Sequence, residues 1–151
     1  VRPNIHQYYI DMAFIAASRA GCPKRKVGAI ITDKNNRVLS IGYNSPPRNL
    51  PTCFEVPCGA GIDDNPCIAA HAEIAALTAC RSIQEAHNIY ITCSPCVDCT
   101  KAVMTTPIQN LYFAEFHKTW SRSKLIWTGH WELTPYYEIP NTNEVMRRRD
   151  G

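Results

Sequence analysis

The chain has 151 residues, 45% of them hydrophobic and 19% charged, with a formal net charge of +3. That is one ordinary globular domain, long enough to bury roughly two thirds of the surface of its unfolded chain. The mild positive balance permits an anionic ligand but calls for no nucleic-acid partner. The apolar run Met12 to Ala17 is far short of the roughly 20 residues of a membrane span, and no basic-then-apolar leader opens the sequence. Neither a membrane nor a nucleic acid is expected as a partner.

In chain order, Asn4 to Ala20 carries apolar residues at Ile5, Tyr8, Tyr9, Met12, Ile15 and Ala16, the spacing of an amphipathic helix, stopped by Gly21 and Pro23. Val27 to Thr32 reads as a buried strand, Asp33 to Asn36 as a turn and Arg37 to Tyr43 as the second strand of a hairpin. Residues 44–66 hold five Pro and two Gly and read as a loop, long enough that function or a clamp is expected of it. Residues 71–82 look helical and apolar on nearly every face, which predicts a buried helix. Asn88 to Cys93 is a strand, Cys96 to Thr105 a short helix ended near Pro107, and Ile108 to Phe113 another strand. A helix is expected near Ser121 to Trp127, followed by an aromatic stretch and a polar tail. This order predicts a single α/β domain over 1–151, a three-layer α/β/α sandwich with a mixed sheet of about five strands.

Eight Cys and eleven Pro are unusual counts. Eight Cys in a small secreted chain would mean disulfides, but a chain of this length with regular helix and strand patterns points instead to zinc in a reducing cytosol, so a cytoplasmic location is expected. The central pattern is His71-Ala72-Glu73 followed by Pro95-Cys96-Val97-Asp98-Cys99. One His and a Cys-x-x-Cys supply three zinc ligands and leave the fourth tetrahedral position open, as hydrolytic chemistry requires. Glu73 is the natural general base for water at such a centre.

Residues two apart in a helix point to opposite sides, at about 100° per residue. His71 and Glu73 therefore cannot both serve one metal from mid-helix, and the helix is expected to begin at about residue 70 to 72. Cys96 and Cys99 share a helix face, and a helix start there would stabilise both thiolates through free N–H groups and the dipole. Two thiolates and Zn²⁺ sum to zero. A neutral centre acidifies water less than a cationic one, which makes the carboxylate base more necessary. A redox pair or a zinc knuckle is the alternative for a Cys-x-x-Cys standing alone.

The joint pattern, with Val27-Gly28-Ala29-Ile30, Gly42-Tyr43-Asn44 and Tyr90-Ile91-Thr92, resembles the cytidine/deoxycytidylate deaminase superfamily over about residues 5–118. Thr100-Lys101 after the second cysteine looks like the deoxycytidylate branch rather than the tRNA adenosine deaminases. The resemblance implies a hydrolase of pyrimidine nucleotide metabolism that converts dCMP to dUMP and releases ammonia, with a catalytic zinc on His71, Cys96 and Cys99 and with Glu73 as the proton shuttle. It implies Asn44 on the sugar and Ala72, Ser94 and Pro95 around the base. Arg25, in the cationic run before the first strand, is expected to contact the 5′-phosphate. Position 45 is Ser where family members often carry Gly, and Glu115-Phe116-His117 lacks the Tyr often found there.

Some microbial members carry a second, structural zinc, and Cys22, Cys53, Cys58 and Cys67 look like its ligands. Independently, a long loop needs a clamp and a metal supplies one. Cys80 and Cys93 read as core thiols. The resemblance further implies a homo-oligomer, a hexamer in many relatives. In those, dCTP activates and dTTP inhibits at an allosteric site around Gly42-Tyr43-Asn44, here Lys26, Tyr43, Ser45, Pro46 and Arg48, with Mg²⁺ on the triphosphate. His6, His87 and His130 read as surface or packing residues. Trp127, Trp131, Tyr136 and Tyr137 read as core or subunit contacts, and Arg147-Arg148-Arg149 as a solvated tail. The competing functions are a deaminase acting inside a nucleic acid, which would want a basic groove with stacking aromatics, and a non-catalytic zinc module, which would have no use for Glu73.

Overall fold

The computed structural model describes residues 2–57, 67–128 and 136–139. Asn4 opens α1 (Ile5–Ala17) by accepting the Gln7 amide on its side chain at 2.9 Å. The helix stops at Ala17 rather than Ala20. The Ser18 hydroxyl donates to the Ile15 carbonyl, and the Arg19 and Ala20 amides bond back to Ala16 and Ala17 at 3.0 Å, which tightens the last turn. The buried face also differs from the predicted stripe. It consists of Tyr9, Ile10, Ala13, Phe14, Ala16 and Ala17, while Ile5, Tyr8 and Ile15 are exposed. Close approach decides this: a Cβ at Gly28 would collide with the Ala13 carbonyl, so the small residues of α1 face the sheet.

The hairpin joins β1 (Gly28–Asp33) to β2 (Val38–Tyr43). Asp33 Oδ1 accepts the Asn35 and Arg37 amides at 2.8 and 3.0 Å, and Asn36 takes the left-handed conformation (φ 62°) that the turn needs. Then follow α2 (Ala72–Ala79), β3 (Ala86–Cys93), α3 (Val97–Met104), β4 (Asn110–Glu115), α4 (Trp120–Thr128) and the short β5 (Tyr136–Glu138). The α2 helix is shorter and less buried than expected. Ala72, Glu73 and Ala76 are buried, Thr78 and Ala79 are exposed, and the backbone becomes extended at Cys80.

The five strands form one mixed sheet in the order β2-β1-β3-β4-β5, antiparallel across β2-β1-β3 and parallel across β3-β4-β5. Strand alternation sends Ile30, Tyr90 and Tyr112 to the α1 side. Ala29, Ile31, Ile89, Ile91, Leu111 and Phe113 go to the opposite side, into one core with residues of α2, α3 and α4. The three-layer α/β/α expectation holds. On the α1 side Tyr90, Tyr112 and Tyr137 are cross-strand neighbours with ring centroids 4.5 and 4.8 Å apart. His6 is a packing residue, stacked on Tyr112 and within 2.8 Å of the Tyr90 hydroxyl. Trp127 is fully buried, and Tyr136 packs edge-on against Trp120. Cys58, His130, Trp131 and Arg147-Arg148-Arg149 lie outside the described residues. The parallel pair β3-β4 brings two strand carboxyl ends side by side, the usual place for a ligand in such sheets.

Candidate active site

Two helix starts meet at those strand ends. His71 is the N-cap of α2 and Cys96 the N-cap of α3, both with extended backbone (φ −66°, ψ 154° and φ −70°, ψ 173°). With the helix starting at Ala72, His71 lies outside the helical turn, so His71 and Glu73 reach one place despite being two residues apart. Cys99 sits three residues past Cys96 on the first turn of α3. Gly42 of β2 lets α2 come this close: a Cβ there would lie 2.5 Å from both the Ala72 carbonyl oxygen and the Ala76 nitrogen. Ser40 then pins the helix by donating its hydroxyl to the Ala76 carbonyl at 2.6 Å.

His71 Nδ1 lies 3.3 Å from Cys99 Sγ and 3.5 Å from Cys96 Sγ, and all three ligand atoms fall within 4.8 Å of one another. Among the described residues this is the one His/Cys/Asp/Glu group so placed. Tetrahedral zinc with bonds of about 2.3 Å to sulfur and 2.0 Å to nitrogen sets N and S about 3.5 Å apart, so the cluster has the spacing of the ion. Its acid–base chemistry agrees. Hydrogen bonds from Cys99 and His71 hold the Cys96 thiol down to about 3. The neighbouring Cys96, with burial and Glu73, pushes Cys99 up. His71 is raised mainly by its bond to Cys96. Coordination of a divalent ion here requires both thiols and the His71 ring nitrogen to be free of protons.

Glu73 is 4% exposed, and burial raises its carboxyl above the ordinary range, partly countered by a hydrogen bond with Cys99. A carboxyl raised in this way beside three metal-type ligands suits a group that must both take and give protons.

The cluster borders a cavity of about 160 Å³. Of the residues the sequence suggested, Arg25, Asn44, Ala72, Glu73, Ser94, His71 and Cys96 line it, and so do Cys22 and Cys67. Cys99 is buried beside it and Pro95 is buried outside the lining. Asn44 is 7% exposed; its Oδ1 accepts the Val27 amide at 2.8 Å and its Nδ2 donates to the Arg25 carbonyl at 2.9 Å. It thus fixes the Arg25–Val27 backbone and keeps one N–H and one lone pair. Ser45 pairs with Ala70 in an isolated antiparallel bridge, and positive φ among described non-glycine residues occurs at Asn36 and Asn49 alone, so Ser45 in place of Gly carries no backbone strain. Lys26 lies over the Phe54 ring, Tyr43 is half-buried, Pro46 is buried and Arg48 is exposed; none of the four lines the cavity.

Four lining residues were not expected, the apolar Val27 and Ala69 and the chemically active Cys93 and His117. Cys93, read as a core thiol, is half-buried on the cavity wall with Arg25 Nη2 3.9 Å from its sulfur. Its placement follows from being the last residue of β3, where the strand leaves the core. Cys80, by contrast, is in the core. His117 lies two residues past β4, as Ser94 follows β3, and the signal for it is topological: residues just beyond the ends of adjacent parallel strands converge. Its backbone amide donates to Ser94 Oγ at 2.6 Å, and Ser94 in turn donates its amide to the Glu115 carbonyl at 2.8 Å.

An α/β/α sheet with a His/Cys/Cys cluster and a buried carboxyl at its strand ends fits a metal-dependent hydrolytic class. Comparison narrows it. The cytidine and deoxycytidylate deaminase zinc-binding region matches residues 3–115, and the chain belongs to that family. It is 32% identical to the deoxycytidylate deaminase of Mycobacterium phage D29, over 74% of this chain and 95% of that protein. It is 31% identical to the deoxycytidylate deaminase of Saccharomyces cerevisiae, over 78% of this chain but 40% of that protein, so it spans less than half of that relative's length. The dCMP deaminase of cyanophage S-TIM5, solved in complex with dCMP and dUMP, superposes with a TM-score of 0.71 at 25% identity, covering 91% of this chain and 98% of that one.

Proposed function

We propose that this chain deaminates dCMP to dUMP hydrolytically, with zinc held by His71, Cys96 and Cys99. The observation that carries the reading is a buried carboxyl, Glu73, raised by that burial and set beside three zinc-type ligands on the wall of a cavity. Zinc, when bound, supplies Lewis-acid activation of water. Glu73 takes protons from the attacking water and delivers them to ring N3 and to the 4-amino group, which leaves as ammonia. Ala72 and Ser94 confine the base, Asn44 offers its remaining N–H and lone pair to the sugar, and Arg25 draws the 5′-phosphate by charge. The related phage deaminases support dCMP as the substrate. Against an enzyme working inside a nucleic acid stands the mild net charge of +3.

Finer features belong to the same reading. A second, structural zinc on Cys22, Cys53, Cys58 and Cys67 draws support from Cys22 and Cys67 sharing one wall and from the Cys53 amide bonding to the Gly21 carbonyl, one residue from Cys22, at 2.9 Å, although the thiols of Cys22, Cys53 and Cys67 do not converge as those of the His71 cluster do and would have to close on the ion. Regulation by dCTP and dTTP with Mg²⁺, at Lys26, Tyr43, Ser45, Pro46 and Arg48 of a homo-oligomer, rests on the family resemblance; the bridge from Ser45 to Ala70, one residue from His71, would couple that segment to the metal site. A cytoplasmic location fits the thiol-rich composition, and among the described residues no helix is long and apolar enough to cross a membrane.

Ammonia release from dCMP, dCTP, cytidine, deoxycytidine and single-stranded DNA tests the reading. A preference for dCMP is expected. Equal efficiency on deoxycytidine, or activity confined to DNA, overturns it.

A further inference from the structure

We infer that His117 is a substrate-specificity residue that donates its Nε2–H to the 5′-phosphate, alongside the Arg25 guanidinium. This rests on the proposed nucleotide substrate and adds the group that recognises its charged end.

The ring's protonation is set by its neighbours. The Thr119 amide lies 3.1 Å from His117 Nδ1 and the Thr119 hydroxyl 2.7 Å from it. A ring nitrogen that accepts a backbone N–H carries no proton of its own, so the neutral imidazole is the Nε2–H tautomer. Among the described residues Nε2 has no hydrogen-bond partner, while the residue lines the cavity. Burial and the nearby Arg25 charge lower its basicity, partly countered by Cys96.

Other polar groups on the wall are partly engaged or claimed by the base and sugar. Glu73 faces the reacting end of the base, the Ser94 oxygen accepts from the His117 backbone, and Asn44 gives one donor and one acceptor to the Arg25–Val27 segment, its remaining N–H being left for the sugar. Outside the metal cluster, Arg25 and His117 bring to one cavity, from two different segments of the chain, the side-chain N–H groups that the base and the sugar do not claim, and these suit a phosphate dianion. The placement is rigid. Ser94 ties the turn carrying Cys96 to the turn carrying His117, and the Trp120 amide closes on the His117 carbonyl at 2.9 Å as α4 begins. The distance between the metal ligand and the phosphate donor is thereby fixed to the backbone. A neutral donor adds direction to Arg25's charge, and a hydrogen bond to a charged group is worth about tenfold or more in affinity.

The test uses the zinc-loaded protein and the ratio of kcat/KM for dCMP to that for deoxycytidine. His117→Phe keeps a ring that can stack and removes the donor; His117→Gln places an amide N–H near the Nε2 position. The expected result is a fall of about tenfold or more in the ratio for H117F, carried by KM for dCMP, with most of it restored in H117Q and zinc content equal in all three proteins. An unchanged ratio in H117F, or equal losses on both substrates, overturns the assignment, the latter by placing His117 against the base or sugar. A wild type that shows no preference for dCMP overturns the nucleotide reading as well. A wild-type preference that survives in H117F removes this inference alone.

Discussion

The two sides of the cavity are built by different means. The metal side is backbone architecture: His71 and Cys96 are helix N-caps, Glu73 and Cys99 lie on the first turns, and Gly42 sets how close α2 comes to the sheet. The other side is a side-chain network. Asn44 holds Arg25 by its carbonyl, Ser94 holds His117 by its amide, and Thr119 sets the imidazole tautomer. The first arrangement resists substitution at its periphery and fails when a ligand or the helix position changes. The second can be altered one bond at a time, and it is where one substrate would be exchanged for another.

The largest expected effect comes from the metal side. Glu73→Gln removes the proposed proton carrier while leaving the ligand set intact. Turnover should fall by about 10² or more, the usual scale for a general acid–base group, with zinc retained on elemental analysis. Cys99→Ser should instead lose zinc and activity together. Near-normal turnover in E73Q would mean that the buried carboxyl is structural, and the contrast between the two sides would have to be drawn elsewhere.

Legibility in the sequence followed the same division. His-x-Glu and Pro-Cys-x-x-Cys are local patterns, and the 100° advance per residue places the start of α2 before any tertiary contact is known. The face of α1 was not legible, because Ala13 and Ala17 are chosen by the missing side chain of Gly28, a contact across 15 and 11 residues that hydrophobicity does not register. β5 has only three residues and takes its conformation from pairing with β4. Cys93 and His117 reach the cavity through the adjacency of β3 and β4, which spacing along the chain does not encode.

An intermediate effect tests whether the metal side is set by helix position. Gly42→Ala would place a methyl 2.5 Å from two backbone atoms of α2. Backbone cannot step aside as a side chain can, so α2 must shift with His71 and Glu73. A destabilisation of about 1–3 kcal/mol is expected, read as a lower midpoint in denaturant, together with weaker zinc retention against a chelator. Loss of stability with zinc affinity intact would show that the two helix starts are positioned independently of β2.

The smallest effect is the most selective. Thr119→Val deletes the hydroxyl 2.7 Å from His117 Nδ1 but leaves the Thr119 amide, 3.1 Å from the same nitrogen. The amide alone still forbids a proton on Nδ1, so the tautomer persists and only the ring's orientation loosens. Losing one neutral hydrogen bond costs about 1 kcal/mol, and only part of that reaches the ligand. KM for dCMP should therefore rise about two- to fivefold with kcat unchanged, and Thr119→Ser, which keeps the hydroxyl, should restore it. Structural damage would instead lower kcat on dCMP and deoxycytidine alike. If T119V erased the preference for dCMP as fully as H117F, the hydroxyl rather than the backbone amide would be holding the imidazole. The phosphate side would then depend on a single side-chain bond, and its difference from the backbone-built metal side would be sharper still.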